Sequence, residues 1–373
     1  MKMKALGHGA NVEEMAQAYG KEAGAIIDFS SNINPKIPEG LEDKLKEALY
    51  KATAYPDIHY TKLRNEIAKY LGVASHEIIV GNGATEVMYL LMKTLSEKLP
   101  AGGTLGIVNP TFSEYERSSR LSGMSVYDFY LEEVHSHEAT SSFKINEVKI
   151  KEGLEKVDAL FICNPNNPTG NTVYLASILE MMAEQEKLLI VDETFMEFVP
   201  AEGEYSLVSK VKDYKNLIII KAVTKFFGLP GLRLGYGVSS NRELLEGMYE
   251  YKEPWTVNSF AETLTPTLFQ DVAYIKESKA YFDLERKRMM TSLKEIRGLK
   301  VYETDTNFIL LKLETLKAYD LKKILFEKYD LLIRDASNFK GLDAHFIRIA
   351  VKSEEENNKL ITALRKEIDH ELY

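Results

Sequence analysis

The sequence predicts an α/β protein whose main sheet is followed by a smaller α+β unit. Three observations carry this. Short apolar runs alternate with amphipathic stretches up to Trp255, the pattern of a sheet covered by helices. Runs such as Leu217-Ile218-Ile219-Ile220 are apolar on both faces, which marks interior strands. After Trp255 strands become fewer and surface helix increases, and a chain of 373 residues is long enough for two or three domains.

Taken in order, the candidate strands are residues 104–108, 125–129, 159–163, 188–192, 217–221 and 232–238. Helical patterns fall between or just before them at 84–97, 113–122, 174–185 and 242–251. A long helical pattern covers about 273–296. Strands near 299–302, 308–312, 331–334 and 346–351 follow, with helices at 317–328 and 354–368. The first 45 residues carry two candidate helices and no strong sheet signal, so they are expected to wrap onto the smaller unit. The expected domains are an arm at 1–45, a large domain at 46–265 and a small one at 266–373.

Composition excludes several functions. The net charge of −9 comes from acidic and basic residues spread along the chain, without the basic stripe that a nucleic-acid partner requires. Cys163 is the sole cysteine, so no internal disulfide can form and a thiolate zinc site has too few ligands. A reducing, cytoplasmic setting is expected. Basic residues at the start are not followed by the apolar run of a signal peptide, and no apolar stretch reaches the roughly 20 residues of a membrane helix. His135-Ser136-His137 reads as a polar loop rather than a metal site, and no metal is expected.

Four segments are over-specified for a core. Lys225 lies just past an apolar strand and before a Gly/Pro-rich turn, where desolvation would free its amine to attack a carbonyl. Eight residues on, Arg233 offers a planar charge for a phosphate. Asp192 closes the strand of Leu189-Ile190-Val191, at the carboxyl end where ligands bind in α/β sheets; buried there, it needs a cationic partner such as a protonated pyridine nitrogen. Asn167, in Asn164-Pro165-Asn166-Asn167-Pro168-Thr169-Gly170, could offer its amide to a ring oxygen. Gly83, Ala84 and Thr85 can turn backbone N–H groups toward an anion at a helix N-terminus. Each segment alone also has a bland reading: solvated cations, a helix cap, a structural turn, an ordinary helix start.

Together and in this order, these motifs resemble the fold-type-I pyridoxal-phosphate enzymes, the aspartate-aminotransferase-like superfamily, over nearly the whole chain. The resemblance implies a large domain with a mixed, mostly parallel sheet, a smaller α+β domain, and pyridoxal 5'-phosphate attached covalently to Lys225. It implies that Asp192 pairs with the pyridine nitrogen, Asn167 with the ring hydroxyl, and that Phe112 stacks on the ring. Gly83, Ala84, Thr85, Thr224 and Arg233 would hold the phosphate. Tyr55 would reach the phosphate of a neighbouring subunit, which implies a homodimer, and Arg348 would bind the substrate carboxylate. Within the superfamily, His8-Gly9-Ala10-Asn11, the segment from Asp28 to Pro35, Pro254-Trp255-Thr256-Val257-Asn258 and Ile333-Arg334-Asp335 resemble the L-threonine-O-3-phosphate decarboxylases, with histidinol-phosphate aminotransferases next. That implies a phosphorylated amino acid as substrate, with His8, Asn32 and Arg334 as candidates for its phosphate. Phe195 and Ala222 depart from the general pattern, which has a tyrosine and a hydroxyl residue there.

Overall fold

The computed structural model describes residues 9, 11–135 and 141–369. A seven-stranded sheet forms its centre, in the order Ile78–Asn82, Leu234–Val238, Leu217–Ala222, Leu188–Asp192, Ala159–Cys163, Thr104–Asn109, Ser125–Tyr130. Leu234–Val238 is antiparallel to both neighbours and the remaining pairs are parallel. The strands Ala159–Cys163, Leu188–Asp192 and Leu217–Ala222 are buried almost throughout, as their two-sided apolar runs require. Helices Gly83–Lys98 and Arg242–Tyr251 cover one face with an apolar cluster that includes Val87, Leu91, Ile218 and Leu245. A larger cluster on the other face is continuous with the core of the C-terminal unit.

That unit holds a four-stranded antiparallel sheet in the order Leu299–Val301, Phe308–Leu313, Phe346–Ala350, Arg334–Asp335. The helix Val272–Lys294 matches the long expected helix, and Ala318–Tyr329 and Glu354–Asp369 match the other two. The expected strand at 331–334 divides: Leu331–Leu332 pairs elsewhere, and only Arg334–Asp335 joins the sheet. The partner of Leu331–Leu332 is Ile27–Asp28, a two-residue parallel strand within the segment that showed no strong sheet signal. Lys21 adds a second tie, donating to the carbonyls of Phe326 and Glu327 at 2.8 and 2.9 Å. The segment from Lys21 to Asp28 therefore packs on the C-terminal unit. Both expected boundaries, after 45 and after 265, fall inside continuous helices, Leu41–Lys51 and Ser259–Gln270. No helix among the described residues is long and apolar enough to cross a membrane.

This topology positions the site. In a parallel array every strand delivers its carboxyl end to the same edge, so Asn82, Asn109, Cys163, Asp192 and Ala222 end together. The one antiparallel strand begins there, which brings Arg233, just before Leu234, to the same edge.

Candidate active site

A cavity of about 410 Å³ opens at that edge and extends to the C-terminal unit. Gly83, Ala84, Thr85, Phe112, Asn167, Asp192, Thr224, Lys225, Arg233, Asn32, Arg334 and Arg348 all line it. Two expected residues remain. His8 lies outside the described residues, as does His137. Tyr55 is 80% exposed and packs on Trp255, ring centroids 4.7 Å apart, away from the cavity.

Lys225 lies three residues past the strand Leu217–Ala222, half-buried, and its carbonyl accepts from Asn34 N at 3.0 Å. Burial pushes its amine down to about 8, helped by the nearby charges of Arg348 and Arg233. Asp192 is buried, and burial raises its carboxyl above the usual range. Thr194 N donates to Oδ1 at 2.9 Å and Tyr115 Oη to Oδ2 at 2.7 Å, which oppose that rise. No ion pair reaches this carboxylate among the described residues. A buried carboxyl so arranged suits a cationic ring nitrogen.

The helix Gly83–Lys98 points its N-terminus into the cavity, where free N–H groups and the helix dipole favour an anion. Gly83 has φ +79°, and a Cβ there would overlap the Arg233 guanidinium. The glycine thus lets a cation come within contact of the helix terminus. Thr224 is buried beside it and can offer a hydroxyl; Ala222 cannot. Phe112 follows the turn after Thr104–Asn109 and meets Tyr115 edge-on, ring centroids 5.7 Å apart. Phosphate cradle, ring platform, acid and lysine fit a phosphorylated pyridine aldehyde.

Above these groups stand two arginines. Arg334 and Arg348 are opposed residues on adjacent antiparallel strands, so both side chains rise from one face. Arg348 is buried, donates to Ser30 O at 2.8 Å and bonds Asn167 Oδ1, while its Nε has no partner among the described residues. Burial pushes it down to about 9, with Arg334 adding repulsion. Arg334 is pushed down to about 10, again by burial. Two guanidinium groups held against desolvation and mutual repulsion are poised for anions. Asn32, 2% exposed, turns to the same region a buried Oδ1 with no partner among the described residues.

Sequence reading missed two side chains and one turn. Tyr115 belongs to no chemical motif, yet its spacing of three from Phe112 at a helix start is a signal that both could face one site. Thr194 is two residues beyond Asp192, the spacing at which a side-chain carboxylate accepts from the backbone. Asn338, Phe339 and Lys340 lie on a turn whose sequence carries no chemical pattern.

Comparison with known proteins agrees with this geometry. The family model for class I and II aminotransferases matches residues 25–364. A Caldanaerobacter subterraneus protein provisionally named threonine-phosphate decarboxylase is 41% identical, over 98% of this chain and 94% of its own length. The threonine-phosphate decarboxylase of Salmonella typhimurium is 32% identical, over 96% of this chain and 95% of its own. The crystal structure of histidinol-phosphate aminotransferase from Clostridium acetobutylicum superposes with a TM-score of 0.84 at 34% identity, covering 92% of this chain and 99% of that one. The chain belongs to the class I and II aminotransferase family and is a fold-type-I enzyme dependent on pyridoxal phosphate.

Proposed function

We propose that this enzyme decarboxylates a small O-phospho-amino acid. O-phospho-L-threonine would give aminopropanol phosphate and O-phospho-L-serine ethanolamine phosphate, for the nucleotide loop of a cobamide. The observation that carries the reading is the opposed pair Arg334 and Arg348, two cations in one cavity for a substrate with two anions on a short carbon chain. The decarboxylase relatives at 41% and 32% identity support it.

When bound, pyridoxal phosphate supplies an electron sink conjugated to the substrate Cα. Lys225 would attach it, and Asp192, which accepts from Tyr115 and Thr194, would pair with its ring nitrogen. Asn167 would face the ring oxygen and Phe112 the ring face. Gly83, Ala84, Thr85, Thr224 and Arg233 would hold the phosphate. Tyr55, exposed beside Trp255, is free to reach the corresponding phosphate of a second copy in a homodimer. Arg348 receives the substrate carboxylate; Arg334 and Asn32, with His8, receive its phosphate.

Loss of CO2 leaves an electron pair at Cα that must take up a proton. Lys225, pushed down to about 8, carries one at neutral pH and can deliver it from Nζ. Phe195, packed edge-on against Phe308 at 5.0 Å, offers no hydroxyl to the ring oxygen and leaves that role to Asn167. An aminotransferase of the histidinol-phosphate type is the second reading, favoured by the likeness to the Clostridium acetobutylicum enzyme.

The test is product analysis with O-phosphothreonine and O-phosphoserine side by side. CO2 release with the cofactor remaining in its aldehyde form is the expected result. Conversion of the cofactor to its amine form, with a 2-oxo acid appearing, would sink the decarboxylase reading.

A further inference from the structure

One wall of the cavity is the turn between the strands Arg334–Asp335 and Phe346–Ala350. Arg334 Nη2 donates to Asn338 Oδ1 at 2.7 Å, and its guanidinium lies 5.2 Å over the Phe339 ring. The turn therefore fixes where Arg334 points. The next residue, Lys340, leaves the turn and reaches the other half of the molecule. Its Nζ lies 2.9 Å from both carboxylate oxygens of Asp128 and 2.7 Å from Glu116 Oε2.

These acids flank the ring platform. Glu116 is four residues past Phe112, on the helix Glu114–Leu121, and is also bound by Arg120 at 2.8 Å. Asp128 accepts from Asn109 Nδ2 at 2.8 Å, three residues before Phe112. Gly341, at φ +95°, lets the turn lie flat on Tyr130, where a Cβ would press into the ring. The two carboxylates lie within 3 Å of one ammonium, so without it they would repel each other.

We infer that Lys340 is a specificity-determining positioning residue: it registers Arg334 against the Phe112 platform, and so sets the distance from the reacting carbon at which a substrate must carry its second anion. This rests on Arg334 being the arm for the substrate phosphate.

Lys340→Met keeps the aliphatic stem and removes the charge. In the holoenzyme it is expected to raise the Kd for O-phospho-L-threonine about fivefold, read from the visible absorption of the bound cofactor, with kcat within about twofold. The Kd for L-threonine, which lacks the phosphate, and the melting temperature should be unchanged. Lys340→Arg should restore affinity. Combined with Arg334→Met, the Lys340 change should add nothing. Equal losses for the two ligands, or additive losses in the double variant, overturn the inference. If the native holoenzyme binds no O-phosphothreonine, the substrate reading itself fails. Inorganic phosphate then serves as the probe: weaker binding in Lys340→Met supports the positioning role, and equal binding overturns it.

Discussion

An amine attacks an aldehyde only when it is unprotonated, so the environment of Lys225 sets how readily the apoprotein captures its cofactor. Burial and two arginines push the amine down to about 8 from an ordinary value near 10.4. The lowered value has a sign for stability. Between about pH 8 and 10.4 the unfolded chain binds the extra proton, so the apoprotein gains stability as pH rises through that window. The same titration should govern reactivity. The rate at which apoprotein acquires a borohydride-sensitive visible band is expected to follow the unprotonated fraction of Lys225, rising to a plateau above about pH 8. A plateau reached only above pH 10 would mean that the amine is not desolvated, and Lys225→Ala should form no such band. At this scale Lys225, Asp192 and Asn167 were legible because each residue type is out of place at the end of an apolar strand. Tyr115 was not, because a tyrosine that packs 4.0 Å from Phe161 reads as core until its hydroxyl partner is known.

Elements assemble the phosphate cradle, and their ends matter more than their lengths. The helix Gly83–Lys98 starts with a glycine at φ +79°, and its neighbour Arg233 is itself left-handed, at φ 54°. Gly83→Ala adds backbone strain and forces the guanidinium away from the helix terminus. Expected losses are about 1–2 kcal/mol in urea unfolding of the apoprotein and at least about tenfold in pyridoxal-phosphate affinity. Gly231→Ala is the control, since open space surrounds that glycine; both quantities should stay near native. Comparable effects at the two sites would show that the contact with Arg233 is irrelevant. The same scale explains what sequence reading lost. Apolar runs gave the interior strands to within a residue or two because burial on both faces leaves a dense signal. Ile27–Asp28 is too short for any periodicity, and Ile78–Asn82 is an edge strand that runs straight into the glycine turn of the following helix. The smaller unit was legible as a change in texture, whereas its contact with the start of the chain is a long-range pairing that no local pattern encodes.

At the scale of the whole molecule, the site is backed by a buried charge cluster that joins its parts. Lys221, fully buried, lies 3.6, 3.1 and 3.5 Å from the carboxylates of Glu193, Glu197 and Glu202, and Glu202 is also bound by Lys279 at 2.6 Å. Glu193 follows Asp192 directly, Lys221 stands four residues before Lys225, and Lys279 belongs to the helix Val272–Lys294 of the C-terminal unit. Burial pushes the phenols of Tyr70 and Tyr236 up, with Glu197 and Glu202 adding repulsion. Three carboxylates against two ammonium groups leave an excess negative charge in a poorly solvated place, which the cluster relieves by holding a proton. Burial raises Glu197 most clearly, to about 7, with Glu202 adding repulsion and Lys221 opposing. A raised folded value means that the native state binds more protons than the unfolded one between roughly pH 4.3 and 7. Stability from this group is therefore full below that window and lost as pH rises through 7. Glu197→Gln keeps the shape, removes the titration, and should flatten the fall in urea-unfolding stability between pH 5 and 8 by on the order of 2–3 kcal/mol relative to the native protein. Parallel pH profiles for the two proteins would place the cluster's proton elsewhere, on Glu193 or Glu202, and the corresponding glutamine variants would then identify which carboxyl holds it.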